Sequence, residues 1–118
     1  MKKKYMLVIR DDSQDLPNYG PGEIQALIER YRAWQEPLMK AGKILDGEKL
    51  VDGTGRTLRQ ERGKVVVRDG PFVETKEIVG GFYMLAAESY EECVALCQGH
   101  PAFTHNASLE IREIEVIP

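Results

Sequence analysis

Short β-prone runs alternate with two stretches of helical periodicity, and their order leaves few folds open. Lys4 to Ile9 is an apolar run closed by Asp11, Asp12 and Ser13, which predicts a buried strand. A turn-rich loop follows, with Pro17, Asn18, Gly20, Pro21 and Gly22. Ile24, Leu27, Ile28, Tyr31, Trp34, Leu38 and Met39 then recur at three- and four-residue steps, the apolar stripe of an amphipathic helix. Pro37 is expected to kink or loosen its last turn, and Gly42 to stop it. The middle reads as strands: Lys43 to Asp46, then Thr57 to Gln60 folded onto Lys64 to Arg68 through Glu61, Arg62 and Gly63. Gly81 to Ala86 is another apolar strand. Ser89 and Glu92 form a capping box before a second helix carrying Cys93, Val94, Leu96 and Cys97. Ser108 to Ile117 alternates as a last strand, with a phase slip at Arg112 and Glu113 that predicts a bulge.

That order is βαββαβ with an extra hairpin. It predicts a single α+β domain over residues 1–118, a ferredoxin-like sheet with both helices on one face. Such a sheet has a second face to cover. Burying that face against a copy of itself is the simplest cover, so a homodimer is the expected partner.

Composition narrows the partners further. A net charge of −3 and a pI near 5.4 lack the basic footprint of a nucleic-acid binder. Lys2, Lys3 and Lys4 read as a solvated end rather than a basic patch. The apolar stretch from Tyr5 to Ile9 is too short for a secretory leader, and no window is long and apolar enough to span a bilayer. A cytoplasmic location is therefore expected, and Asn106-Ala107-Ser108 is a chance sequon. Cys93 and Cys97, four apart on a helix, are poorly placed for a disulfide and are expected to be reduced.

Val67 to Phe72, containing Asp69-Gly70-Pro71-Phe72, is followed by Glu74, Lys76 and Glu77 and then by Gly80-Gly81-Phe82-Tyr83. This run resembles the signature of the DGPF proteins, a branch of the YCII-related group. His100-Pro101 after the second helix and Glu110-Ile111-Arg112 in the last strand agree with it. The resemblance implies a ferredoxin-like protomer of the dimeric α/β-barrel superfamily, with two sheets packed face to face. It also implies a pocket holding an Asp and a His, and for some members an association with alternative sigma factors. The shorter YCII-type proteins carry a histidine early in the chain; here both histidines come late.

Among residues able to carry chemistry, Asp69 ends a strand. Its carboxylate either closes an Asx turn over Gly70 to Phe72 or serves as an acid/base. His100, between Gly99 and Pro101, is the best general base by residue type, or else a helix-end histidine. His105 lies in a polar loop and is expected to be solvent-exposed. Phe72 would wall a pocket or fill core. Lys76 and Glu77 would reach a ligand at an interface or remain a solvated edge. Tyr83 would donate its hydroxyl or pack, and Arg112 would clamp a carboxylate or pair with a neighbouring acid. No compact metal motif or cofactor loop appears, so no metal and no organic cofactor is expected.

Two readings follow. One is a cofactor-independent acid–base enzyme acting on a small carbonyl or lactone-like molecule, with Asp69 and His100 moving the proton and Phe72, Lys76, Glu77, Tyr83 and Arg112 around the substrate. The other is a non-catalytic ligand-binding or regulatory module, linked to sigma-factor signalling.

Overall fold

Tyr5, Leu7 and Ile9 share one face of the first strand because side chains alternate along an extended chain, and all three are buried. That strand, β1 (Lys3–Asp12), is the spine of a computed structural model that describes residues 1–12, 20–70 and 77–118. The other elements are α1 (Pro21–Lys40), β2 (Ile44–Lys49), β3 (Arg56–Glu61), β4 (Lys64–Asp69), β5 (Glu77–Ala87), α2 (Tyr90–Leu96) and β6 (Ser108–Glu113). A short 3₁₀ turn, Pro101–Thr104, precedes β6.

The main sheet runs β2-β5-β1-β6, every neighbouring pair antiparallel. This is the strand order of a ferredoxin-like fold once the separate two-stranded β3–β4 ribbon is set aside. The sheet is open, and the chain forms no closed barrel by itself. Both helices pack on the face that carries Tyr5, Leu7, Tyr83 and Leu85, with Cys93, Cys97 and Ala102 completing the core. Leu7 and Leu85 are fully enclosed, and each such side chain contributes about 1.5–3 kcal/mol.

Several local expectations are met with modification. α1 runs through Pro37 to Lys40, and Gly42 follows just beyond it with φ 72°, the left-handed stop expected there. The Ser89 hydroxyl accepts from the Glu92 amide at 3.1 Å, but the Glu92 carboxylate takes the Glu88 amide at 2.8 Å, one residue before the position a capping box predicts. The bulge expected near Arg112 is absent from the β1–β6 ladder; the register instead slips between β1 and β5, where Gly80 is the extra residue opposite Ile9 and Arg10. Two glycines accept what a side chain would not: a Cβ on Gly80 would run into the Asp11 carboxylate, and one on Gly81 would stand 2.9 Å from the Glu48 carbonyl oxygen. Cys93 and Cys97 are free and buried.

The opposite face of the sheet is half-buried. Register places Met6 beside Met84 and Val8 beside Phe82, with the Arg10–Glu110 ion pair at 2.7 Å along their edge.

Candidate functional site

α1 does not seat evenly on the sheet. Tyr31, Trp34 and Leu38, from its second half, pack against the core. Ile24 and Ile28, from its first half, remain 46% and 43% exposed although they belong to the same apolar stripe. Beneath them the sheet presents Gly47 and Gly80 where bulkier residues would have filled the space. The result is a cavity of about 630 Å³ between helix and sheet.

Its polar groups come from β1, α1, β2 and β5 and from the loops that carry Asp52 and His105. Asp11, at the end of β1, falls in phase with Tyr5, Leu7 and Ile9, so its carboxylate points to the helix side. The bulge makes room for it: a Cβ built on Gly80 would stand 1.8 Å from Asp11 Oδ2, so no other residue fits there while Asp11 keeps its position. Burial raises the Asp11 pKa above 3.8; the charge of His105 opposes this, Asp52 adds to it and Lys49 opposes it. His105, following the 3₁₀ turn, is half-buried, and its Nε2 shares a hydrogen bond of 2.9 Å with the Tyr31 hydroxyl. Tyr83 on β5 donates to Gln35 Oε1 at 3.0 Å, and burial raises the pKa of its phenol. Its ring lies over Gly47, where a Cβ would meet ring carbons at 2.4 and 2.7 Å.

This constellation can exchange a proton. A carboxylate in a partly dry cavity is a stronger base than one in water, and an imidazole beside it can carry charge in either direction. Among the described residues there is no cluster of His, Cys, Asp or Glu suited to a metal ion.

The residues singled out from sequence are distributed more widely. Tyr83 lines the cavity; Asp69, Glu77, His100 and Arg112 do not. Asp69 ends the ribbon with its side chain 90% exposed and faces Arg56 at 3.3 Å. The structure does not bring it to His100, which is 1% exposed. The His100 Nδ1 accepts the Ala102 amide at 2.9 Å, so the neutral ring keeps its proton on Nε2, a buried atom with no hydrogen-bond partner among the described residues. The ring sits against Trp34 and Tyr31, with centroids at 4.3 and 5.3 Å. Burial, reinforced by His105, lowers its pKa to about 4. Glu77 opens β5 at the sheet's end, exposed. Arg112 is exposed on β6, 3.6 Å from Glu110. Phe72 and Lys76 lie outside the described residues, as do Pro71 and Glu74 of the same run and Pro17 and Asn18 of the first loop.

Asp11 was readable as a turn residue closing the strand, which hid its place on the cavity wall. The available signal was its phase: a charged residue two positions beyond three buried ones on the same strand face. His105 carried no comparable signal, because a loop histidine has no periodicity to place it.

An uncharacterised protein from Rhizobium meliloti (strain 1021) is 32% identical over 91 residues, covering 76% of this chain and 73% of its own length. A family model described as the YCII-related domain matches residues 3–117. With nearly the whole chain accounted for by that match, the protein belongs to the YCII-related domain family.

Proposed function

We propose that the protein is a cofactor-independent acid–base enzyme whose site is the cavity between α1 and the sheet. Asp11 and His105, rather than Asp69 and His100, move the proton. The observation that carries this reading is the desolvated Asp11 carboxylate, held over Gly80 and facing a His105 that is tied to Tyr31. Desolvated carboxylates are costly to a fold and cluster where proton transfer is needed. On a small ketone or lactone, Asp11 takes the proton from the carbon beside the carbonyl. The C–H electron pair forms the C=C bond of the enolate, and negative charge moves to the carbonyl oxygen. Return of a proton to the same or a neighbouring carbon completes exchange or isomerisation.

The test is α-hydrogen exchange in D₂O, followed by proton NMR over a panel of small ketones, keto acids and lactones. Wild type is expected to exchange at least one class faster than buffer does, and Asp11→Asn to lose about 10²-fold or more of that rate. Exchange no faster than buffer across the panel, or an Asp11→Asn variant as fast as wild type, turns the reading towards a binding module that uses the same cavity without turnover.

The half-buried outer face favours a second copy as the partner. Met6, Val8, Phe82 and Met84 form its apolar centre and charged side chains form its rim, the composition that self-association covers. A native mass of one 13.4 kDa chain at micromolar concentration would contradict this.

A further inference from the structure

The roof of the cavity is two ridges of α1. Ile24, Ile28 and Arg32 form one, and Leu27, Tyr31 and Gln35 the other, each stepping by four residues along the same helix face. The roof is therefore apolar at its N-terminal end and polar at its C-terminal end. Two of the three polar side chains there are already engaged: Tyr31 with His105 and Gln35 with Tyr83. Arg32 is not. No described residue pairs with its guanidinium, although Asp52 and Glu48 line the same cavity. Asp52 is taken by Lys49 at 3.3 Å. Glu48 stands opposite Phe82 in the ladder and so follows it towards the outer face.

Resting on the acid–base reading of this cavity, we infer that its ligand is a small amphipathic carboxylic acid, bound through its carboxylate by Arg32 with its apolar body against Ile24, Leu27 and Ile28. A guanidinium matches a carboxylate with two parallel hydrogen bonds, and an arginine that no described residue engages keeps that fork for the ligand. Anchoring the acid at the roof leaves the far carbon atoms of the molecule to lie over the sheet, where Asp11 and Tyr83 stand. Arg32 is thus a binding and specificity residue, and the preference for an acid belongs to it rather than to the general charge of the protein, which is negative.

Phenylacetate and phenylacetamide share their shape and differ in the charge Arg32 would read. Binding of each is measured by ¹H–¹⁵N chemical-shift titration of wild type and Arg32→Gln. In wild type the acid is expected to bind at least tenfold more tightly than the amide, with shifts clustered on α1 and the ends of β1 and β5. In Arg32→Gln the acid should fall to the affinity of the amide while the amide is unchanged. Equal binding of acid and amide to wild type, or an acid preference that survives in Arg32→Gln, overturns the role of Arg32 and leaves the cavity as a binding site intact. Absence of binding by both probes overturns this inference and the cavity reading together. Folding of the variant is checked by an unchanged spectrum away from α1.

Discussion

Lowering the pH from 6.5 to 4 is expected to cost roughly 3 kcal/mol of folding stability through His100 alone. The unfolded chain takes up a proton on this imidazole near pH 6.5, whereas the folded protein resists until about pH 4. Between those values the unfolded state binds more protons, so stability falls as pH falls. The cause is structural: Nδ1 is occupied by the Ala102 amide, Nε2 is enclosed, and aromatic rings surround the rest. Glu92 and Glu110, each held below 4.5 by hydrogen-bonded cations, lose their contribution only as pH falls through 4.5 and below, so they add to the effect at the acid end of this window and not between pH 6.5 and about 5. Asp11, with its pKa raised, acts in the opposite direction and favours the fold on acidification. His100→Asn keeps an oxygen to accept the Ala102 amide but cannot take up a proton. Urea unfolding of this variant should show a lower stability at neutral pH, from lost packing against Trp34, and a much flatter dependence between pH 6.5 and 4. A slope equal to that of wild type would mean that another group carries the acid sensitivity.

Gly47→Ala is expected to destabilise the protein by about 1–3 kcal/mol, a large cost for a single methyl group. The added Cβ would stand 2.4 Å from a ring carbon of Tyr83. Tyr83 cannot step aside, because it is 8% exposed, packs edge-on against Trp34 at 5.1 Å, and is bound to Gln35. The ladder would have to open between β2 and β5, or the ring would have to move into the cavity. Either response reduces the space available to a ligand, so probe binding should weaken along with stability. Gly22→Ala, where nothing lies within 4 Å, serves as the control and should leave stability unchanged or slightly raised. Similar unfolding midpoints for the two variants would show that Tyr83 is not pinned as described.

The fold was largely legible in the sequence. Alternation in β1 and the three- and four-residue steps of α1 are direct consequences of which side chains must leave water, and both elements lie where those patterns place them. The hairpin between Arg56 and Asp69 followed from its turn. The site was harder to read. Asp69 stood out because a strand and a turn meet there, yet a ribbon paired only with itself among the described residues leaves its end in solvent. His100 stood out by residue type, but the chain folds its ring beneath α1, a long-range contact with Trp34 and Tyr31 that local pattern does not encode. The cavity depends on what is missing from the sheet. Gly80 and Gly47 suggested a bulge or a close approach at most, and only the pairing of β5 with both β1 and β2 shows that they lie beneath the same half-helix.

The proposed role of Asp11 requires its carboxylate to stay in a partly dry cavity beside His105. Titration of the Asp11 carboxyl carbon by NMR tests it most directly, in wild type and in His105→Gln. The predicted result is a midpoint above 3.8 in wild type that rises further in the variant, because the nearby imidazolium that stabilises the carboxylate has gone. A midpoint at or below 3.8 in wild type, or one that His105→Gln leaves in place, would contradict the account.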